Sequence, residues 1–213
     1  MDVAVRQPMT LQQFLAWEER QPLRYEFDGF EPVAMAGGTA AHAAIQMNLH
    51  TALMLRLRGK PCRPYGSDLK MLVVGRFRYS DAFVVCTPVG PRQTFVTDPV
   101  VVFEIMSEGT ANTDLVEKNA EYRATASIQR YVLLEQTHAA AIVFARKGED
   151  WVSEIVAGAE AVLRLPELGI EIPLADIYAD VELTGSALDA PEAPPARVPE
   201  TQAASAPGVP PGA

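Results

Sequence analysis

The chain has 213 residues, 48% of them hydrophobic and 21% charged, which fits one soluble globular domain long enough to bury a real core. No stretch approaches the ~18 uninterrupted apolar residues of a membrane-spanning helix, and residues 1–13 lack the basic-then-apolar pattern of a secretory signal, so a cytoplasmic protein with no membrane partner is expected. The formal charge of −9 excludes a uniformly basic surface for nucleic acid, so any polyanion must be met locally.

Thr10 precedes LQQFLAWEER, where Leu11, Phe14, Leu15 and Glu18 have the spacing of a short amphipathic helix capped by Thr10. RYEFDGFEPVAM then predicts two β pieces around a tight turn at Asp28-Gly29, with Glu26 on the strand entering it. Residues 39–57 place Ile45, Leu49, Ala52, Leu53 and Leu57 at helical spacing, and Gly59 with Pro61 closes this helix. Cys62 and Cys86 lie far from any second Cys or His at metal-ligand spacing, and they read as two small buried thiols.

A β region follows: residues 68–74 (DLKMLVV), a turn at Gly75-Arg76, residues 79–86 (YSDAFVVC), a proline-rich loop and residues 100–106 (VVVFEIM). The last run is apolar apart from one carboxylate, as in a strand covered on both faces by helices. Asn112 and Thr113 offer caps for a helix over 114–125, followed by strands at 131–135 and 140–145. Residues 151–156 and 161–165 read as a closing hairpin and 173–178 as a short helix. The order is α/β with a mixed sheet. Residues 184–213, dominated by Pro, Ala and Gly, read as a disordered tail behind a domain spanning 1–183. That tail carries a net −2, which leaves −7 on the domain.

Glu104 sits among Val100, Val101, Val102, Phe103, Ile105 and Met106. A buried carboxylate costs several kcal/mol unless it is paired, protonated or bound to a cation, so Glu104 demands a partner that its neighbours do not supply. Asp81 stands at the entrance to AFVVC, and if 79–86 pairs with 100–106 the two acids converge. Converging carboxylates suit Mg²⁺ or Mn²⁺, whose remaining positions are filled by water and phosphate oxygens. Such an ion would polarise a scissile phosphate and activate water. Asp114, Lys118 and Tyr122 follow at i, i+4 and i+8 on one helix face, so Lys118 is the lysine available to such a site. The alternative is an exposed Asp114–Lys118 ion pair worth under ~1 kcal/mol.

These residues resemble the Uma-two family of restriction-endonuclease-like proteins, within the PD-(D/E)XK nuclease superfamily. The resemblance runs over about residues 9–183 and rests on Tyr25, Glu26, Asp81, Glu104, Ser107, Thr110, Asp114, Lys118 and Tyr122 in the family's order. It implies a restriction-endonuclease-like core, a mixed β-sheet flanked by helices with additional β-hairpins. It also implies Asp81 and Glu104 as metal ligands for Mg²⁺ or Mn²⁺, with Lys118 and Glu26 as further catalytic residues. The superfamily's usual lysine falls at Met106, and the resemblance moves that role to Lys118 on the next helix. Ser80 replaces the proline before the first acid, and Glu108-Gly109 replaces a serine-proline pair. The implied partners are DNA, bound weakly or with a partner's help given the net acidity, and a second copy in a homodimer.

His42 matches a histidine seen in such proteins and either faces the site or serves as a cap or surface group. His50 and His138 read as structural. Asp68 and Lys70 read as the solvated face of a strand, with a phosphate contact by Lys70 as the functional alternative. Trp17 and Trp151 read as packing anchors. The leading function is a metal-dependent endonuclease acting on DNA. The alternative is a catalytically inactive nuclease fold serving as a binding or assembly module. A glycosidase using Asp81 and Glu104 lacks the tryptophan platforms a sugar site needs.

Overall fold

The computed structural model describes residues 8–35, 37–107 and 113–185. The expected cap at Asn112, the family positions Glu108, Gly109 and Thr110, and residues 186–213 of the expected tail lie outside the described residues.

Helix α1 (Leu11–Glu18) begins where expected, because Thr10 Oγ1 accepts the Gln13 N–H at 3.2 Å while Gln13 Oε1 accepts the Thr10 N–H at 2.8 Å. Strands β1 (Tyr25–Phe27) and β2 (Pro32–Ala34) form the expected hairpin. Its connection is longer than a two-residue turn: Asp28 Oδ1 gathers the N–H groups of Phe30 and Glu31 at 2.7 and 2.8 Å, and Gly29 takes a φ of 96°. Helix α2 (Ala40–Leu57), capped by Thr39, buries all five of the residues that predicted it.

The β region is more divided than its sequence suggests. Strands β3 (Arg63–Gly66), β4 (Lys70–Val73), β5 (Arg76–Arg78), β6 (Ala82–Val85), β7 (Phe95–Val96) and β8 (Pro99–Ile105) replace three expected runs. The β4–β5 turn sits one residue early, at Val74 and Gly75, both with positive φ. β3 escapes prediction because Pro64 and Gly66 weaken a strand pattern, and it survives as an edge strand paired only with β6. A π-helical turn (Thr113–Lys118) runs into α3 (Asn119–Ala124), then β9 (Arg130–Leu134), β10 (Ala140–Lys147), β11 (Asp150–Ala157), β12 (Val162–Leu165), β13 (Ile170–Pro173) and α4 (Leu174–Ile177).

The expected hairpin between 151–156 and 161–165 does not form. β11 pairs instead with β10 through the Gly148 turn, and β12 pairs with β13 through a turn containing Gly169. Equal eight-residue lengths and a left-handed glycine between them favour the β10–β11 pairing.

The main sheet has the order β11-β10-β9-β8-β6-β3, and a second runs β2-β1-β5-β4-β7. β8 and β9 are parallel and joined by the helical crossover, while β6 and β8 are antiparallel. β8 is covered on both faces, as its composition predicts. Val101, Phe103 and Ile105 face a core shared with α2 and α4, and Val102 faces Tyr122, Tyr131 and Phe144. Phe14, Phe27 and Phe77 pin α1 to the second sheet. No helix among the described residues is long and apolar enough to cross a membrane.

Two readings are corrected here. Lys70 lies on neither a solvated nor a substrate-facing surface: it is 5% exposed, ion-paired with Glu18, and 5.4–5.9 Å from the ring centres of Phe14, Phe77 and Tyr79. Cys62 and Cys86 are not thiols but a disulfide. The Arg63↔Val85 register puts them opposite each other just beyond the β3–β6 ladder, a neighbourhood invisible while β3 goes unrecognised.

The bridge joins residues 24 apart in sequence. By chain entropy it should stabilise the fold by about 3.5 kcal/mol. The Cys62→Ser, Cys86→Ser double variant, or the wild type in dithiothreitol, is expected to lose that much in urea denaturation. A loss under about 1 kcal/mol would mean that the ladder alone holds the edge strand.

Candidate active site

The convergence expected of Asp81 and Glu104 is present. Ala82 pairs with Phe103, so Asp81, one residue before β6, stands beside Glu104 on β8. Asp81 Oδ2 accepts the Ile105 N–H at 2.7 Å, which fixes it to the strand that carries the second acid. Glu104 is 4% exposed and points to the face opposite α2.

Lys118 is the partner that Glu104 requires. Its Nζ lies 3.0 Å from Glu104 Oε1, 3.1 Å from Asp114 Oδ1 and 3.9 Å from Glu26 Oε1. Tyr122 donates to the same Glu104 oxygen at 3.1 Å, so the residues predicted at i+4 and i+8 meet one carboxylate while Asp114, at i, meets Lys118. The Asp114–Lys118 pair is therefore buried rather than an exposed surface contact. A π-helical turn carries Asp114 and Lys118, and the Tyr131 hydroxyl, donating to Asp114 O at 3.2 Å, secures it from β9. The Asp114 Oδ1 atom is buried and accepts no well-aligned hydrogen bond from a described residue, so it feels the ammonium chiefly as charge. Met106, the position of the superfamily's lysine, is a buried apolar residue, and Lys118 does reach Glu104 in its place.

Glu26 joins the site from the second sheet. Its Oε2 accepts from Arg78 at 3.0 Å and its Oε1 accepts the Tyr79 N–H at 3.0 Å. Arg78 in turn binds Glu121 on α3 through two bonds of 2.8 and 2.6 Å, and Arg76 also pairs with Glu121. Sequence reasoning missed Arg78 and Glu121. The available signal was an arginine at alternate positions around buried Phe77, which aims both guanidinium groups to one side of β5.

His42 faces the site rather than capping or projecting into solvent: its Nε2 is 2.9 Å from Asp81 Oδ1. Two further residues of α2 reach the same aspartate: Gln46, missed in the sequence, and His50, read there as structural. Gln46 Nε2 donates to Asp81 O at 3.0 Å and contacts Oδ1 at 3.4 Å, and His50 Nε2 meets Asp81 O at 2.9 Å. Their signal was the four-residue spacing of His42, Gln46 and His50 along one helix. His138 remains a buried structural residue beside Thr137. Asp68 is exposed and pairs with Arg24. Trp17 and Trp151 pack against Phe14 and Tyr25, and against Arg146, as anchors.

The electrostatics follow from burial. Burial pushes the Glu104 carboxyl up to about 8, with Lys118 opposing the shift and Asp81, Asp114 and Glu26 adding to it. For Lys118, burial works against the charge, but Glu104, Glu26 and Asp114 outweigh it and hold the ammonium charged above its ordinary range. The hydrogen bond to Asp81 raises the His42 pKa despite partial burial.

Among the described residues no group of three or more His, Cys, Asp or Glu is spaced to cage an ion. The donor set nevertheless fits Mg²⁺ or Mn²⁺, which take one or two carboxylates and complete their shell with water and phosphate oxygens. Burial, reinforced by the neighbouring carboxylates, disfavours an ionised Glu104, a cost that a divalent cation would offset. Asp81 and Glu104 are the acids that could hold it.

Known proteins resemble this chain in sequence and in fold. The Uma2 family, described as "Putative restriction endonuclease", matches residues 11–175. Two Synechocystis proteins described as uncharacterized are similar: slr1290 is 29% identical over 171 residues, covering 78% of this chain and 90% of its own length, and sll1609 is 27% identical over 141 residues, covering 64% and 80%. The crystal structure of a protein from Anabaena variabilis ATCC 29413, described as a putative nuclease belonging to DUF820, superposes with a TM-score of 0.66. It shares 15% identity and covers 81% of this chain and 98% of its own, so the restriction-endonuclease-like architecture is common to both.

The raised Glu104 pKa has a consequence for stability. The folded protein holds that proton more tightly than an unfolded chain, so Glu104 favours folding at low pH, and the contribution is lost as pH rises from the ordinary carboxyl range through about 8. Metal-free wild type should lose stability from pH ~5 to pH ~8 in urea denaturation, and Glu104→Gln should lose distinctly less over that window. Parallel curves for the two proteins would contradict the assignment.

Proposed function

The chain belongs to the Uma2 family, and from that membership together with the acid–lysine cluster we propose that it is a Mg²⁺- or Mn²⁺-dependent endonuclease that hydrolyses DNA phosphodiester bonds. The single observation that carries this reading is that Asp81, just before β6, is bonded to β8 beside Glu104, and Lys118 from the helical crossover closes on that Glu104 at 3.0 Å. Asp81 and Glu104 would hold the metal, which when bound polarises the phosphate and lowers the pKa of the attacking water.

The chain's own residues do the rest. Lys118, kept charged by three carboxylates, orients the water and offsets the charge that develops on the phosphate oxygens. Glu26, held by Arg78 and the Tyr79 N–H, fixes the ammonium from the side of the second sheet. Asp114 supports it from one helical turn away. The net charge of −9 means that DNA affinity rests on few local contacts and falls steeply with salt. A homodimer is the setting proposed with it, and the Cys62–Cys86 disulfide argues against the reducing cytoplasm expected from the sequence.

The Lys118–Glu104 contact of 3.0 Å favours a second reading, because an ion pair that already satisfies the acid could serve a non-catalytic binding module. One experiment separates the two. Purified protein is incubated with supercoiled, linear and single-stranded DNA in Mg²⁺ or Mn²⁺, beside Asp81→Ala, Glu104→Ala and Lys118→Ala. Wild-type cleavage reduced on the order of 100-fold or more by each change is expected. Metal-dependent cleavage that survives all three changes would remove the assigned site, and DNA binding without cleavage by the wild type would favour the binding module.

A further inference from the structure

Asp81 is held through its main chain as well as its carboxylate, and the groups that do this lie on α2 rather than on the strands. His50 Nε2 is 2.9 Å and Gln46 Nε2 3.0 Å from the Asp81 carbonyl oxygen. A carbonyl oxygen only accepts, so the proton of the His50 ring sits on Nε2. The two donors leave the same face of the helix one turn apart and converge on a single acceptor. This acceptor belongs to the peptide that links Asp81 to Ala82, the first residue of β6.

Space for the His50 ring comes from Gly66 on the edge strand. A Cβ built at Gly66 would lie 2.9 Å from both Cε1 and Nε2 of His50, closer than real Cβ contacts, and 3.7 Å from Asp81 O. The backbone of Gly66 is an ordinary strand pairing with Ala82, without positive φ. Its lack of a side chain is therefore a matter of room for the imidazole and not of chain conformation. Ring, glycine slot and carbonyl together form one packed unit on the β3 side of the site.

We infer that Gln46 and His50 are positioning residues for the metal-binding aspartate, and that Gly66 is the slot that seats His50. By clamping the peptide after Asp81 they hold the carboxylate at the angle at which it meets Glu104. The inference rests on the reading of Asp81 as a metal ligand. Groups that orient ligands in this way typically change metal affinity by about 10- to 100-fold when removed.

The test measures Mn²⁺ affinity by calorimetry and the metal-free melting temperature by circular dichroism, with no DNA present. The proteins are the wild type, His50→Phe, His50→Gln, Gly66→Ala and, as the control for the site, Asp81→Ala. His50→Phe and Gly66→Ala should each bind Mn²⁺ about 10- to 100-fold more weakly than wild type. His50→Gln, whose amide can still donate to the carbonyl, should recover most of that loss. Gly66→Ala alters no polar group, so its agreement with His50→Phe separates positioning from loss of a hydrogen-bonding side chain, and it decides the matter alone if His50→Phe does not fold.

Lowered melting temperatures with wild-type Mn²⁺ affinity would overturn the inference and leave Asp81 as a ligand. Mn²⁺ binding by His50→Gln as weak as by His50→Phe would overturn it too. Wild type that binds no Mn²⁺ would overturn the metal reading and this inference together.

Discussion

A carboxylate buried in the middle of an apolar strand governs the rest of this structure. Glu104 lies on β8, covered on both sides, where an isolated charge would be prohibitive. The fold answers with Lys118 and Tyr122 delivered by the segment that leaves β8 itself. Because β8 and β9 are parallel, the chain must cross over the sheet between them, and that crossover is what brings the ammonium back over its own strand. The electrostatic requirement and the topological one are met by the same few residues.

The second sheet matters through charge rather than apolar packing alone. Arg78 reaches from β5 to Glu26 on β1 and to Glu121 on α3, so a hairpin, a strand and the crossover helix share one guanidinium. Removing either partner of such a buried pair leaves an uncompensated charge, which destabilises far more than losing a surface pair. Glu26 is thereby fixed with both oxygens engaged, and it meets Lys118 at 3.9 Å as a background charge rather than as a direct hydrogen-bond acceptor.

The sequence made the central site legible because its signals were local contradictions. Glu104 stands out against Val, Ile and Phe, and the spacing of Asp114, Lys118 and Tyr122 survives even a π-helical turn. Asp81 became readable once its strand was paired with β8. What stayed hidden depended on residues far apart in sequence. Lys70 alternates with apolar neighbours like a solvated position, yet α1 and β5 bring the aromatic rings and Glu18 that cover it. The disulfide required a strand whose proline and glycine argue against it. Gln46 went unread and His50 passed as a structural histidine, because nothing local announces that a loop carbonyl lies opposite.

Charge also bears on what the site can admit. Glu26, Glu104 and Asp114 surround one ammonium, and the raised affinity of Glu104 for a proton comes first from burial, with Asp81, Asp114 and Glu26 adding to it. A phosphate brought to that locus without a further cation would add to the excess and be repelled at short range, where burial reduces screening. On the proposed reading, charge compensation and substrate binding are therefore linked: the cation that offsets the acids also makes the locus attractive to a phosphate. In a chain of net charge −9, specificity for a polyanion then follows from this local inversion of sign rather than from the surface as a whole.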